Sequence, residues 1–194
     1  KEFPSEEALD AWLAKEKFSE ALVTELLRRV SRDNRMADEV VLCLDAKTGK
    51  KLWELREPTK PIDRRASSTP VVLDGRIHAI VGRTLRTLDA KTGKSLWAYP
   101  MKFENGVPNS PMVMAGKLIF CDDKLMALDA KTGKLVWEQE VIRGREASVI
   151  PWRDVVLCHT HDSVQAARAS DGEFLWKVPG GGQSTPVVSD DLLV

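Results

Sequence analysis

The sequence has few cysteines, no excess of either charge and no long apolar run, and each absence excludes a class of protein. Its 194 residues include 29 Lys plus Arg and 29 Asp plus Glu, so no net field attracts nucleic acid or an anionic membrane. No stretch approaches the roughly 18 uninterrupted apolar residues that a membrane-spanning helix needs. Because 43% of the residues are hydrophobic, the chain can still bury one ordinary core, which excludes disorder over the whole length.

The cysteines and the first residue say little about the compartment. Cys43, Cys121 and Cys158 cannot all pair within one chain, and their wide spacing lacks the close C-x-x-C grouping of a zinc site. We interpret them as small hydrophobic core residues. The chain starts at Lys1 with no apolar signal-peptide core after it, so a processed export signal and a fragment are both compatible with the sequence.

A ten-residue block recurs along the chain. Its copies are LDAKTGKKLW at 44–53, LDAKTGKSLW at 88–97, LDAKTGKLVW at 128–137 and the diverged ARASDGEFLW at 167–176. The tryptophans that end the copies are separated by 44, 40 and 39 residues, and they are Trp53, Trp97, Trp137 and Trp176. A weaker repeat precedes each later block and begins once more at 184–194. A period of about forty residues is typical of the blades of a propeller.

Within one unit the apolar residues alternate and turn residues are closely spaced, which favours short strands over helices. The second unit predicts strand A at 69–73, strand B at 76–81, strand C at 83–88 and strand D at 94–99. Asp74-Gly75 favours the positive φ values of a type I′ hairpin turn. In the C–D turn, Asp89 and Thr92 can bind nearby backbone amides while Gly93 takes the left-handed conformation.

Such a small antiparallel sheet cannot cover both of its faces, so neighbouring units must stack. The tryptophan four residues after each turn glycine is suited to hold them together. An indole buries roughly 150–250 Å² and its N–H needs an acceptor when it is buried. We therefore predict that Trp53, Trp97, Trp137 and Trp176 are structural docking residues that fix the distance between sheets, and that they do not stack on a cofactor.

The block also carries the pattern A-x-D-x-x-T-G-x-x-x-W, seen in the third copy as Ala127, Asp129, Thr132, Gly133 and Trp137. This pattern resembles the tryptophan-docking repeat of the quinoprotein-type, or PQQ-like, β-propellers. The resemblance covers roughly residues 39–194. It implies an all-β fold, a β-propeller of four-stranded antiparallel blades with about four blades in this chain, preceded by an N-terminal α-helical segment.

The function implied by the resemblance is less specific than the fold. The family includes pyrroloquinoline-quinone dehydrogenases, cofactor-free members similar to the BamB lipoprotein of the outer-membrane β-barrel assembly machinery, and sensor domains of kinases. We predict a non-catalytic scaffold without a cofactor that binds a protein or peptide partner in the periplasmic or extracellular envelope of a bacterium. The alternatives are a PQQ-dependent oxidoreductase, or a fragment of one, and a sensor domain that binds a small anionic ligand.

Candidate binding residues lie in the connections that emerge on one rim of a propeller, between strands B and C and between strands D and A. Four arginines there could bind a carboxylate or phosphate in fork geometry, namely Arg64, Arg65, Arg143 and Arg145. His159 and His161 project to one side of an extended segment and could share a ligand. A solvated rim of loop charges is the alternative, and we predict no metal site because a pair of histidines does not complete one.

The first 36 residues predict a separate helical segment, with 37–194 forming the repeats. Ser5 can cap a helix whose apolar residues follow at Leu9, Trp12 and Leu13. Either one long helix or a helical hairpin broken near residues 15–17 extends to about residue 31. At the other end of the argument, the first unit shows strands C and D only and the last shows A and B only. We expect part of a larger ring or a homodimer that completes one, and a closed four-bladed ring is the alternative.

Overall fold

The structure is a computed structural model of the chain, and it describes residues 3–25, 38–57, 68–102, 110–122, 124–142, 149–160, 162–180, 185 and 187–193. These residues belong to two units: residues 3–25 lie in the first, and all the others lie in the second. Each unit is built from a different kind of secondary structure.

The first unit contains helix α1, Glu6–Lys15. The Ser5 hydroxyl accepts a hydrogen bond from the backbone N–H of Ala8 at 3.3 Å, which satisfies one of the unpaired amides of the first turn. The helix ends where Lys17 adopts a φ of +52°, and residues 20–25 are helical again after Ser19. Of the two predicted arrangements, the break near residues 15–17 is therefore the one observed, while the predicted end near residue 31 lies outside the described residues.

Helix α1 brings two apolar residues of its predicted stripe into a buried position. Leu9 and Leu13 are buried, and the rings of Phe3 and Phe18 lie 5.2 and 5.6 Å from that of Trp12. In the described part of the chain, no helix is both long and apolar enough to cross a bilayer.

The second unit consists of sixteen strands in chain order. They are β1 Glu39–Leu44, β2 Lys51–Glu57, β3 Val71–Leu73, β4 Arg76–Val81, β5 Thr84–Asp89, β6 Ser95–Pro100, β7 Met112–Met114, β8 Lys117–Cys121, β9 Leu125–Asp129, β10 Leu135–Gln139, β11 Val149–Trp152, β12 Val155–His159, β13 Ser163–Arg168, β14 Phe174–Pro179, β15 Val188–Ser189 and β16 Leu192–Leu193.

These strands form antiparallel sheets that we call blades. Blades 2, 3 and 4 are the four-stranded sheets β3–β6, β7–β10 and β11–β14, in which each strand pairs with the next along the chain. Blade 1 is the pair β1–β2, and blade 5 is the pair β15–β16. The predicted all-β fold of four-stranded antiparallel blades is confirmed, and strands B to D of blade 2 lie within about a residue of their predicted bounds.

The turns follow the predicted chemistry. Asp74 and Gly75 have φ values of +49° and +70°, as a type I′ hairpin requires. In the C–D turn of blade 2, Oδ1 of Asp89 accepts hydrogen bonds from the Thr92 hydroxyl at 2.7 Å and from the Thr92 backbone N–H at 2.8 Å. The Thr92 hydroxyl is the main reason why the pKa of the Asp89 carboxyl is lowered. Identical turns at Asp45 and Asp129 explain why the ten-residue block is repeated so closely.

The diverged block of blade 4 makes the same turn with different side chains. Backbone hydrogen bonds of 2.8 Å join Gly172 N–H to Arg168 O and Arg168 N–H to Glu173 O. The Arg168 guanidinium binds Asp171 at 3.0 Å and also contacts Glu173. An ion pair thus replaces the Asp–Thr hydrogen bonds while the backbone path is kept.

The core lies between the blades and not within any one of them. Leu118, Phe120 and Leu128 of blade 3 pack with Leu85 of blade 2. The opposite face of blade 3, with Ile119 and Ala127 among others, packs with blade 4. A smaller cluster joins blade 4 to Val188 of blade 5. Because side chains alternate along each strand, each inner blade supplies both of its faces to the core.

Candidate functional site

The connections of each blade lie on two opposite rims. On the first, the Met101 backbone N–H after strand D of blade 2 donates to Arg83 O in the B–C turn, at 2.9 Å. On the second, the Ala90 N–H in the C–D turn donates to Gly75 O in the A–B turn, at 2.8 Å. Blade 4 repeats the first contact between Gly180 and Asp162 at 3.0 Å. We call the two sides the B–C rim and the C–D rim.

Most of the predicted binding residues of the B–C rim lie outside the described residues. This is so for Arg64, Arg65, Arg143, Arg145 and His161. His159 is described: it is the last residue of β12 and is only 7% exposed, so little of its ring surface faces solvent. Whether the four arginines and two histidines form one site stays a prediction.

The B–C turn of blade 4 contains a compact hydroxyl and carboxylate network beside His159. The Thr160 hydroxyl donates to Oδ1 of Asp162 at 3.0 Å, and the Ser163 hydroxyl donates to the same atom at 2.8 Å. These two bonds, Ser163 first, lower the pKa of the Asp162 carboxyl, and Lys177 at 3.9 Å contributes. Asp162 therefore holds its own turn in shape and is ionised at neutral pH.

Other charged residues of this rim join successive parts of the sheet stack. Oδ2 of Asp122, in the B–C turn of blade 3, accepts from the backbone N–H of Lys102 at 2.7 Å, which links it to the chain leaving blade 2. The Lys124 ammonium binds Glu138 at 2.8 Å and Glu140 at 2.7 Å within blade 3, which raises its pKa. Asp122 and Lys124 thus have structural partners of their own.

The fold family implied by the repeat includes quinone enzymes that hold a metal, so the side chains were compared with such a site. Among the residues that the structure describes, no three or more His, Cys, Asp or Glu side chains come together as a metal site. These residues therefore do not supply the ligand set that a quinone–metal centre needs, and no chemical step is derived through one.

The repeated tryptophans contact the C–D turn of the following blade. The indole N–H of Trp53 donates to Ala90 O at 3.0 Å, that of Trp97 to Ala130 O at 3.3 Å, and that of Trp137 to Ala169 O at 3.1 Å. Each N–H therefore reaches a carbonyl one blade ahead, between 32 and 37 residues along the chain.

The indole rings lie flat over glycines of the same turns. A methyl group on Gly93 would lie 2.7 Å from the Trp53 ring, and one on Gly133 would lie 2.7 Å from the Trp97 ring. Both glycines also have positive φ values, of +71° and +72°. A side chain at either position is thus opposed by the ring and by the backbone conformation.

The two ends of this series of contacts differ from the middle. Trp176 in blade 4 packs with Val188, but its indole N–H has no acceptor among the described residues. Gly49, in the C–D turn of blade 1, has the same φ as the other turn glycines, +69°, and no described side chain lies over it. Trp176 and the turn of Gly49 therefore present matching halves of the contact seen between the inner blades.

A further feature was missed in the sequence. Strands β6, β10 and β14 each form an edge of their sheet, and the residue before each tryptophan is an exposed aliphatic side chain. Leu96 is 49%, Val136 47% and Leu175 36% exposed. The signal was present, because in a strand the neighbour of a residue directed at the next blade must point the other way. We call these three residues and their strands the outer edges.

Comparison with known proteins places these observations among related chains. The profile of the family described as outer membrane protein assembly factor BamB matches residues 8–106 and 83–194. Among curated proteins, no match to this chain was found.

Solved structures of the same architecture are similar over part of their length. BamB from Moraxella catarrhalis is 20% identical with a TM-score of 0.58, over 72% of this chain and 46% of that one. A quinohemoprotein alcohol dehydrogenase from Comamonas testosteroni is 23% identical with a TM-score of 0.52, over 60% of this chain and 21% of that one. The computationally designed protein Ika8 has a TM-score of 0.62 at 14% identity, over 78% and 48% of the two chains. The chain thus spans less than half of each of these structures.

Proposed function

Because the chain belongs to the BamB-like family of PQQ-like propeller repeats, we propose that it is a non-catalytic scaffold that binds a protein or peptide partner. The partner-binding role and a place in the bacterial envelope follow from that family, whose description names outer membrane protein assembly. In this proposal the blades hold a rigid surface, and no cofactor takes part.

The observation that carries the proposal is the set of outer edges. An edge strand offers unpaired backbone N–H and C=O groups, to which an extended segment can add as a further strand. Within the described residues, no strand pairs with the outer side of β6, β10 or β14. The exposed side chains of Leu96, Val136 and Leu175 provide an apolar contact at each of these edges. We therefore propose that the partner docks an extended segment with alternating apolar residues.

The probe for this proposal is a fluorescein-labelled peptide of about ten residues in which apolar and polar residues alternate, as in a strand. Fluorescence anisotropy with the full chain should give saturable binding. A peptide of the same composition with prolines at alternate positions should not bind, since proline cannot donate to the ladder.

The matched variants separate the outer edges from general stickiness. Replacing Leu96 and Val136 together by Lys should weaken peptide binding about tenfold, about 1.4 kcal/mol, because lysine protects strand edges. Val72→Lys changes an equally exposed aliphatic residue on β3, the opposite edge of blade 2, and should leave binding unchanged. Equal binding of the proline peptide, or equal loss with Val72→Lys, would rule out docking at the outer edges.

A quinone oxidoreductase is the second candidate, favoured by the similarity of fold to the quinohemoprotein dehydrogenase. The two candidates differ in a direct measurement. Addition of pyrroloquinoline quinone with Ca²⁺ should give no bound quinone absorbance and no alcohol-dependent dye reduction if the scaffold proposal is right. The anion-sensor alternative is tested by Arg143→Ala, which should abolish salt-sensitive binding of phosphate if the four arginines form a site.

A further inference from the structure

Two cysteines that are 37 residues apart in the sequence enter the same interface between blades. Cys121 is the last residue of β8 and lies directly opposite Leu125 of β9, so it shares the face of blade 3 that carries Ile119. Ile119 and Leu125 both belong to the core cluster between blades 3 and 4. Cys121 therefore points from blade 3 toward blade 4.

Cys158 reaches the same interface from the other side. It lies in β12 on the face of blade 4 that carries Val156, and both belong to the cluster that blade 4 forms with blade 3. Cys121 and Cys158 are almost completely buried, and their thiols are in hydrogen-bonding contact. Both are free thiols in the structure.

The surroundings of the pair are polar on one side only. Gln165 lies directly opposite Cys158 across the β12–β13 ladder and is buried, and its Nε2 donates to the Ser163 hydroxyl at 3.2 Å. Its Oε1 is buried and has no hydrogen-bond partner within the described residues. Met126 occupies the matching position of blade 3. The amide thus places an unused acceptor next to two thiol donors in an otherwise apolar interface.

We propose that Cys121 and Cys158 are an oxidisable dithiol that forms a disulfide between blades 3 and 4. The oxidant is a small or protein disulfide. One cysteine thiolate attacks the disulfide and forms a mixed disulfide, and the second attacks the mixed disulfide and releases the reduced oxidant. Two thiol protons and two electrons leave the pair, one S–S bond forms between the blades, and the S–S bond of the oxidant becomes two thiols.

The proposal specifies which cysteine is excluded and how fast the others react. Cys43 lies opposite Trp53 in blade 1, so it is left as a free thiol. Contact with Cys121, together with burial, raises the pKa of the Cys158 thiol. Since the thiolate is the reacting form, oxidation of the folded chain should be slow and should accelerate when the interface opens.

The test uses the full chain with excess oxidised glutathione at pH 8, followed by acid quenching and alkylation in denaturant. The number of thiols that react should fall from three to one, and a peptide linking Cys121 to Cys158 should be found by mass spectrometry. Low urea should raise the rate severalfold, and the oxidised chain should unfold at higher urea than the reduced chain, because the cross-link restricts the unfolded state.

The variants decide which pair has formed. Cys43→Ser should still lose two thiols, whereas Cys121→Ala and Cys158→Ala should each lose none to an internal bond. The alanine variants need not fold as well as the original chain, so the linked peptide from the Cys43→Ser protein gives the same answer independently. Three thiols remaining after oxidation in low urea, or a cross-link that includes Cys43, would overturn the proposal. Neither result depends on whether the outer edges bind a partner.

Discussion

Nδ1 of His78 lies 2.6 Å from Oγ1 of Thr87, and both side chains are buried in blade 2. Thr87 in turn lies opposite Trp97, whose ring centroid is 6.0 Å from that of His78. The matching pair in blade 3 is Ile119 opposite Ala127. Blade 2 thus has a titratable hydrogen-bonded pair where blade 3 has two apolar side chains.

Acid should destabilise the chain through this pair. Burial first, and then the positive charge of Arg76, lower the pKa of His78 from 6.5 to about 4. Between these values the unfolded chain binds a proton that the folded chain does not, so the free energy of unfolding falls as the pH falls from 6.5 to 4. The difference at pH 4 is about 3 kcal/mol. Urea unfolding at several pH values measures it.

The variant His78→Ile with Thr87→Ala copies the pair of blade 3 and leaves no hydroxyl unpaired. It should remove most of the change in stability between pH 6.5 and 4 while the chain remains folded at pH 7. A double variant with the same pH dependence as the original chain would show that other groups account for the acid sensitivity.

Alanine at Gly133 should destabilise more than alanine at Gly116. Both glycines have nearly the same φ, +72° and +73°, so each substitution incurs the left-handed strain of roughly 1–2 kcal/mol. Only at Gly133 would the new methyl group lie 2.7 Å from the Trp97 ring, whereas nothing lies within 4 Å at Gly116. The difference between the two free energies of unfolding measures the contact of the indole with the turn. Equal values would mean that the Trp97 ring shifts at no cost.

Trp137→Ala should cost about 3–5 kcal/mol, the usual range for a buried large aromatic residue. The substitution removes the ring from the core between blades 3 and 4 and leaves Ala169 O without its donor. Trp176→Ala should cost clearly less, since Trp176 is only half-buried and its N–H has no acceptor among the described residues. Urea unfolding of both variants compares them, and an equal cost would contradict a role for the interblade hydrogen bond.

The repeat predicted the blades well because each strand and turn depends on nearby residues. Asp89, Thr92 and Gly93 close their own turn, and the same letters close it again in blade 3. Contacts between blades depend on residues about forty positions apart, and only their averages can be inferred from a repeat. The sequence therefore did not indicate that Cys121 meets Cys158, or that His78 faces Thr87, since both pairs replace residues that are apolar elsewhere.

The candidate site was harder to predict than the fold. A rim residue such as His159 is named by its position in a connection, but its exposure depends on how the neighbouring chain covers it, and it is largely buried. Leu96 and Val136 gave the opposite error. As apolar residues next to a tryptophan they read as core, yet the outermost strand has no further strand to cover them.

Two chains should associate head to tail through blades 1 and 5 if a second copy completes the ring. Blade 5 supplies strands A and B, blade 1 supplies strands C and D, and Leu42 and Leu192 are exposed there. Trp176 of one copy would then lie over Gly49 of the other, as Trp137 lies over Gly172. Light scattering should give a mass that rises with concentration toward twice 21.6 kDa. Gly49→Val should weaken association by placing a side chain where the indole docks, whereas Gly75→Val, with a similar φ of +70° and nothing nearby, should not. A constant mass of 21.6 kDa at all concentrations would exclude the second copy as the occupant.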